Sequence, residues 1–258
     1  MIPIYVISLR TDARRRARMA GEFARLGLPY RFIDGIDGRT LSAAELEAAA
    51  PARGRRYWSH LTAGEIGCAL SHLAAIRTIA AGPDRFAVVL EDDVALAPDL
   101  ARFLADLEAD PPAFDMMWLS HAPTKGHRAV MPAGRLSDRG LWARVYLDYT
   151  AAAILYRREA ATRIAAAITH IEAPIDHMLW RNHTVPGLRA VEVRPQLVTQ
   201  DMDGPSTITG REVKALGATA RLARETIRYG NLIRRWRSFV SAWGAGALVR
   251  VRRAGWLR

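Results

Sequence analysis

The sequence predicts an α/β fold organised around a parallel sheet, and three observations predict it. Apolar, β-branched runs alternate with amphipathic stretches along most of the chain. The opening reads strand, helix, strand: Pro3 to Leu9, Ala13 to Leu26 closed by Gly27, then Tyr30 to Ile33. The right-handed crossover of such a unit lays its two strands side by side in parallel. Phe86 to Leu90 is continuously apolar, the pattern of a central strand covered on both faces.

The remaining elements follow in order. Leu41 to Ala50 is a short Ala/Glu-rich helix, and Pro51 to Ser59 a basic loop. Thr62 with Glu65 fits a capping box, opening a helix that runs to Ala81 and stops at Gly82-Pro83. The Phe86 strand comes next, then a helix near Pro98 to Leu107 and a strand at Phe114 to Leu119. His121 to Gly140, rich in Gly, Pro and charge, reads as a mobile loop. Trp142 to Tyr156 reads as a strand or hairpin pair, Arg158 to Ile168 as a helix, and Ala190 to Val193 as a last strand, with a further helix opening after Pro174.

Bulk properties narrow the function classes. A chain of 258 residues can hold one well-cored domain and an appendage. The single Cys68 excludes an internal disulfide and a four-cysteine zinc site, and suits a reducing compartment. Basic residues follow the apolar run Ile2 to Leu9 instead of preceding it, so it reads as a strand and not an export signal. No stretch approaches the roughly 20 apolar residues of a spanning helix, and a soluble or peripheral protein is expected. The net charge is +11, yet residues 211–258 hold 12 basic residues against two acids, which leaves the first 210 close to neutral. Nucleic acid is therefore not an expected partner: the charge sits in a tail and no binding module is recognisable.

Chemistry concentrates where the Phe86 strand ends in Glu91-Asp92-Asp93. Ligands in open α/β sheets bind at the carboxyl ends of strands. Side-chain alternation puts Glu91 and Asp93 on one face and Asp92 on the other. Two converging carboxylates call for a counter-charge, for which Mg²⁺ or Mn²⁺ is suited and would in turn hold phosphate oxygens. The competing reading is a solvated acidic turn. After the first strand, Ser8-Leu9-Arg10 leads through Asp12 to Arg14-Arg15-Arg16 at a helix start, an arrangement that favours phosphate. Asp34 and Asp37, in Asp34-Gly35-Ile36-Asp37-Gly38, stand where nucleotide folds place an acid on ribose or base, or simply form a turn. Glu65, Cys68 and His72 share a helical face, but three ligands on one helix rarely converge on one ion. Asp176 is either an early-turn acid favoured by the helix dipole or a general base.

In order and spacing, Pro3 to Arg16, Phe32 to Gly38, Leu61 to Leu73 and Val88 to Val94 resemble glycosyltransferase family 25, which includes bacterial lipooligosaccharide β-1,4-galactosyltransferases and collagen β-galactosyltransferases. The likeness extends over residues 1–210, with Thr150 to Leu155, Ile175-Asp176 and Gln196 to Ile208 as weaker matches. It implies a GT-A fold, a Rossmann-like mixed sheet flanked by helices. It also implies inverting transfer of galactose or glucose from a UDP-sugar to lipopolysaccharide or another glycan or glycolipid acceptor. Glu91 and Asp93 would hold the Mn²⁺ or Mg²⁺, with Glu91-Asp92-Asp93 standing in for the DxD motif. Ser8, Leu9, Arg10, Arg15, Asp34, Asp37 and Asp92 would surround the nucleotide-sugar. Asp176 would be the base, with Glu65 and His72 as alternatives, although relatives often carry a second acid where His177 stands.

Residues 211–258 lie outside the resemblance. Val213, Leu216, Ala220, Ala223 and Ile227 follow helical spacing, and Trp236, Phe239, Val240 and Trp243 form a second apolar set flanked by Arg. Arg and Trp on such a helix suit an anionic membrane surface, placing the protein in the cytoplasm at the inner face of a bacterial inner membrane; the alternative is a helix pair packed back on the domain. A metal-dependent phosphohydrolase or nucleotidyltransferase could use the same carboxylates, but would not need the Gly64 to His72 block.

Overall fold

The computed structural model describes residues 1–52, 61–121, 130–144, 150–180, 185, 187–201, 233 and 236–247. The elements are β1 (Ile4–Leu9), α1 (Ala13–Leu26), β2 (Arg31–Gly35), a 3₁₀ turn at Gly38–Thr40, α2 (Ala43–Ala49), α3 (Ala63–Ala81), β3 (Phe86–Glu91), β4 (Val94–Leu96) and α4 (Leu100–Ala109). There follow β5 (Met116–Trp118), β6 (Val130–Leu136), β7 (Arg139–Arg144), β8 (Ala153–Arg157), α5 (Arg158–Ala167), α6 (Ile175–Trp180), β9 (Ala190–Arg194) and β10 (Val198–Gln200).

Among the described residues, eight strands form one sheet in the order β2-β1-β3-β8-β5-β9-β7-β6. The parallel arrangement expected of the opening unit is present, with β1 flanked in parallel by β2 and β3. β8 then enters antiparallel between β3 and β5, and β5 pairs in parallel with β9. The result is the mixed sheet flanked by helices that a GT-A fold requires. The carboxyl ends of β1, β2 and β3 meet at one edge. Because β8 runs the other way, the residues before it arrive at that same edge, where the Glu91 amide donates to the Ala152 carbonyl at 2.9 Å.

Two apolar layers cover the sheet. Alternation along β3 sends Ala87 and Val89 into the layer packed on α3 and α5, and Val88 and Leu90 into the layer packed on α1 and α4. Helix α3 is apolar nearly all round, because the sheet and α2, α5 and α6 all pack on it. Its expected capping box is present: Glu65 N donates to Thr62 Oγ1 at 3.1 Å, and Thr62 N donates to Glu65 Oε2 at 2.9 Å.

Three expectations need correcting. The described half of the expected loop at 121–140 is a hairpin, β6–β7. Its Pro and Gly do not forbid a strand, because the register shifts between Pro132 and Gly134 on the sheet's last strand, where a bulge accommodates both. Trp142 to Tyr156 contributes two strands, but they are not a hairpin: β7 pairs with β6 and β9, and β8 lies between β3 and β5. Third, β4 and β10 were not foreseen; each is three residues long and they pair antiparallel as a small second sheet. Of the expected basic loop at 51–59, all but the first two residues lie outside the described residues.

The first apolar set of the tail, from Val213 to Ile227, also lies outside the described residues. The second set forms a helix at 236–243, whose Phe239 is 1% exposed and packs with Met131 and Ala143 of the hairpin, flanked by Trp236 and Trp243. The Ser238 hydroxyl accepts the Gly187 amide at 3.1 Å, a second tie to the domain. Among the described residues no helix is long and apolar enough to cross a membrane.

Candidate active site

A cleft of 440 Å³ opens at the carboxyl edge of β1, β2 and β3, within the range of small-ligand sites. Its floor is the end of β3. Alternation turns Glu91 toward α3, as it does Ala87 and Val89, so the carboxylate meets His72 Nε2 at 3.0 Å and Cys68 Sγ at 4.0 Å. A turn at Asp92-Asp93 separates β3 from β4. Asp92 points to the opposite side, where Arg15 Nη1 donates to its Oδ1 at 2.7 Å and Arg18 donates to its backbone carbonyl at 2.7 Å. Asp93 comes back beside Glu91. The expected division, Glu91 with Asp93 and Asp92 apart, therefore survives the end of the strand.

Gln200, at the end of β10, spans the pair: its Nε2 lies 3.4 Å from Glu91 Oε2 and 3.4 Å from Asp93 Oδ2. The Asp93 main chain is tied to the next residue along, with the Asp201 amide donating to its carbonyl at 2.7 Å. Burial, and then the neighbouring Glu91 charge, push the Asp93 carboxyl up to about 6, against the opposing pull of Gln200 and Arg15. Excess negative charge is thus built into this corner. Arg15, bonded to Asp92 and 3.9 Å from Asp93, offsets it in part.

The wall from β2 is set by a close approach. A Cβ on Gly67 of α3 would lie 2.4 Å from the Ile36 carbonyl oxygen, and one on Gly38 would fall 1.7 Å from the Ala63 oxygen. Only glycine at both places lets the turn after β2 rest directly on α3. The Ile36 amide then donates to Ser71 Oγ at 2.8 Å. Asp37 accepts from Arg39 Nη2 at 2.7 Å, and this guanidinium holds its carboxyl below the usual carboxylate range.

Of the residues singled out from sequence, Ser8, Leu9, Arg15, Asp37, Glu65, His72, Glu91, Asp92, Asp93 and Asp176 all line this one cleft. Two are not brought together with them. Arg10 is exposed and outside the lining, and Asp34 is exposed and bound to Arg16, which also bonds the carbonyls of Ser8 and Leu9. β2 ends at Gly35, and the side chain of Asp34 leaves the sheet on the α1 side, so Asp37, three residues on, is the acid that reaches the cleft. Glu65 is 5% exposed with Oε2 committed to the capping box, while Asp176 Oδ1 accepts the His177 amide at 2.8 Å at the start of α6. Sequence reasoning gave no role to Gln200, or to Thr150, which lies 3.4 Å from Gln200 Oε1 and accepts the Ala152 amide. Both stand in the weaker segments of similarity, the signal that could have found them.

Residues 1–131 match the profile of glycosyltransferase family 25 (LPS biosynthesis protein). Among similar proteins, an inactive glycosyltransferase 25 family member 3 of Mus musculus is 30% identical, over 68% of this chain and 31% of its own length. A glycosyltransferase 25 family member of Aedes aegypti is 35% identical, over 42% of this chain and 18% of its own. Procollagen galactosyltransferase 2 of Mus musculus is 29% identical, over 45% of this chain and 19% of its own. The chain thus spans less than a third of the length of each of these relatives.

Proposed function

The chain belongs to glycosyltransferase family 25, and on that premise we propose that it is an inverting transferase, moving galactose or glucose from a UDP-sugar to a lipopolysaccharide-type or other surface glycan. The observation that carries this reading is the Glu91–Asp93 pair, two part-buried carboxylates in a nucleotide-sized cleft that share the Gln200 amide. An all-oxygen donor pair whose negative charge is only partly offset fits a hard cation, Mn²⁺ or Mg²⁺. Such an ion, when bound, supplies charge neutralisation for a departing diphosphate.

The chain's own residues do the rest. Arg15 fixes Asp92 and so holds the Asp92-Asp93 turn against α1. Its guanidinium, kept charged by Asp92, Asp93 and Asp12 against the pull of burial, would meet diphosphate oxygens at the amino end of that helix. Ser8 and Asp37 offer the ribose and base polar groups, and Leu9 an apolar surface beside them. Asp176, on a separate helix across the cleft, takes the proton from the acceptor hydroxyl as that oxygen attacks the anomeric carbon. Glu65 is less suited to that task because its carboxylate closes the capping box.

The basic segment 211–258 would hold the protein at an anionic bilayer on the cytoplasmic side; its +10 balance supports this, while Phe239 is already spent on the domain. Co-sedimentation with anionic vesicles at rising salt tests that part. A screen of UDP-, GDP- and CMP-sugars for donor hydrolysis, with and without Mn²⁺, tests the chemistry. Hydrolysis of a UDP-hexose only with the cation supports it; turnover of none, or turnover indifferent to chelator, sinks it. The relative named inactive favours a second reading, a member that binds donor without turnover. UDP binding with no hydrolysis of any sugar would select it.

A further inference from the structure

We propose that Cys68, His72 and Glu91 form a binding site for a thiophilic divalent cation such as Zn²⁺, and that its occupant competes for Glu91 with the hard cation of the oxygen pair. Cys68 and His72 stand four residues apart on α3, one turn above the other on the same face. Glu91 reaches them from β3 because the alternation that buries Ala87 and Val89 against α3 turns it the same way. This supplies what the helix alone lacks: the third ligand is not Glu65, held in its capping box, but a carboxylate from the sheet.

The three donor atoms all lie within 4.8 Å of one another, with Nε2 to Oε1 at 3.0 Å and Sγ to Oε1 at 4.0 Å. Edges of a tetrahedron around zinc with nitrogen, oxygen and sulfur ligands run roughly 3.3 to 3.6 Å, so the two edges to Glu91 need shifts of a few tenths of an ångström, and the third, from Cys68 to His72, needs at most about 1 Å, within reach of a side-chain rotation. Thiolate and imidazole strongly favour Zn²⁺ over Mg²⁺ or Mn²⁺, whereas the all-oxygen Glu91–Asp93 pair suits the harder ions and discriminates far less against them. Cys68, His72 and Glu91 all line the cleft, which gives the ion an entry. His72 is 1% exposed, and among the described residues its Nδ1 has no hydrogen-bond partner. Zinc-binding imidazoles ordinarily hold an acceptor at that position, and losing one costs about 10- to 100-fold in affinity. The site is therefore suited to an exchangeable, inhibitory occupant and not to a permanent structural ion.

Binding is tested with Co²⁺ as the zinc analogue on the full chain. Wild type should take one equivalent with a thiolate-to-cobalt charge-transfer band. Cys68→Ser should lose the band, while Asp93→Asn, which leaves all three ligands in place, should keep it. Cys68 is the single cysteine of the chain, so alkylation by iodoacetamide reports on this position alone. Zn²⁺ should slow it by about tenfold or more in wild type, and not in His72→Gln. No charge-transfer band, a band surviving Cys68→Ser, or unprotected alkylation would each overturn the site. The competition, unlike the binding, rests on the proposed transferase reading. It predicts that micromolar Zn²⁺ inhibits Mn²⁺-supported donor hydrolysis in wild type but not in Cys68→Ser, each measured against its own zinc-free rate. Zinc binding without inhibition overturns the competition alone, and a cobalt band in a protein that hydrolyses no donor leaves the site standing while the transferase reading fails.

Discussion

Replacing Asp93 by Asn should make the metal-free protein more stable and less able to bind donor. The wild-type carboxyl is raised from an ordinary value of 3.8 to about 6, first by burial and then by Glu91. A carboxylate whose folded pKa is raised is protonated more readily in the native state, so native structure loses stability as pH climbs between those two values. The shift corresponds to a penalty of about 3 kcal/mol at pH 7, about 2 kcal/mol at pH 5 and under about 1 kcal/mol at pH 4. Asparagine carries no charge to desolvate, and its carbonyl can still accept from Gln200. In chelator at pH 7 the variant should melt higher by roughly 6 to 12 °C, since each kcal/mol moves the midpoint of a chain this size by about 2 to 4 °C. The gap should close as the buffer is taken to pH 4. Mn²⁺ should then raise the wild-type midpoint and leave that of the variant in place. Thermal melts of both proteins at three pH values, with EDTA or Mn²⁺, provide the measurement. A variant no more stable than wild type in EDTA at pH 7, or a gap independent of pH, would refute the claim that this carboxylate is held against its own desolvation.

Asp176→Asn should lower turnover by about two to four orders of magnitude with donor affinity nearly unchanged, read from steady-state rates beside UDP titration; lost donor binding would make Asp176 a donor contact instead. Gly67→Ala should destabilise by about 1 to 3 kcal/mol or more in urea, because the new methyl meets the Ile36 carbonyl at 2.4 Å and backbone must move. An unaffected midpoint would show that the turn after β2 yields easily. Phe239→Ala should cost about 3 to 5 kcal/mol if the 236–243 helix is part of the cooperative unit, and nothing measurable by urea unfolding if that helix docks independently.

Much of the fold was legible because its signals are local. The Thr62–Glu65 capping box, the stop at Gly82-Pro83 and the apolar run of β3 each depend on residues a few positions apart, and each sits where the sequence puts it. The sheet beyond β3 was not legible in the same way. Whether Ala153–Arg157 pairs with its sequence neighbour or slips antiparallel between β3 and β5 is decided by burial on both faces, which no local pattern encodes. Pro132 and Gly134 suggested a loop for the same reason: their cost in a strand depends on its being at an edge with a bulge, a fact about neighbours.

The candidate site divides along the same line. That an apolar strand runs into three acids is plain in the sequence; its two-residue period predicts that the first and third leave one way and the second the other, and although β3 stops at Glu91 the turn at Asp92-Asp93 keeps that arrangement. Which partners they meet was decided only in three dimensions. Asp92 finds Arg15, 77 residues away in sequence, and Glu91 finds His72; Gln200 arrives at the Glu91–Asp93 pair from a three-residue strand across 109 positions. Periodicity states which face a side chain leaves by. What lies opposite that face depends on chain crossings whose hydrogen bonds and buried area belong to no single segment, so the partners, and with them the raised affinity of Asp93 for a proton, appear only once the sheet has closed.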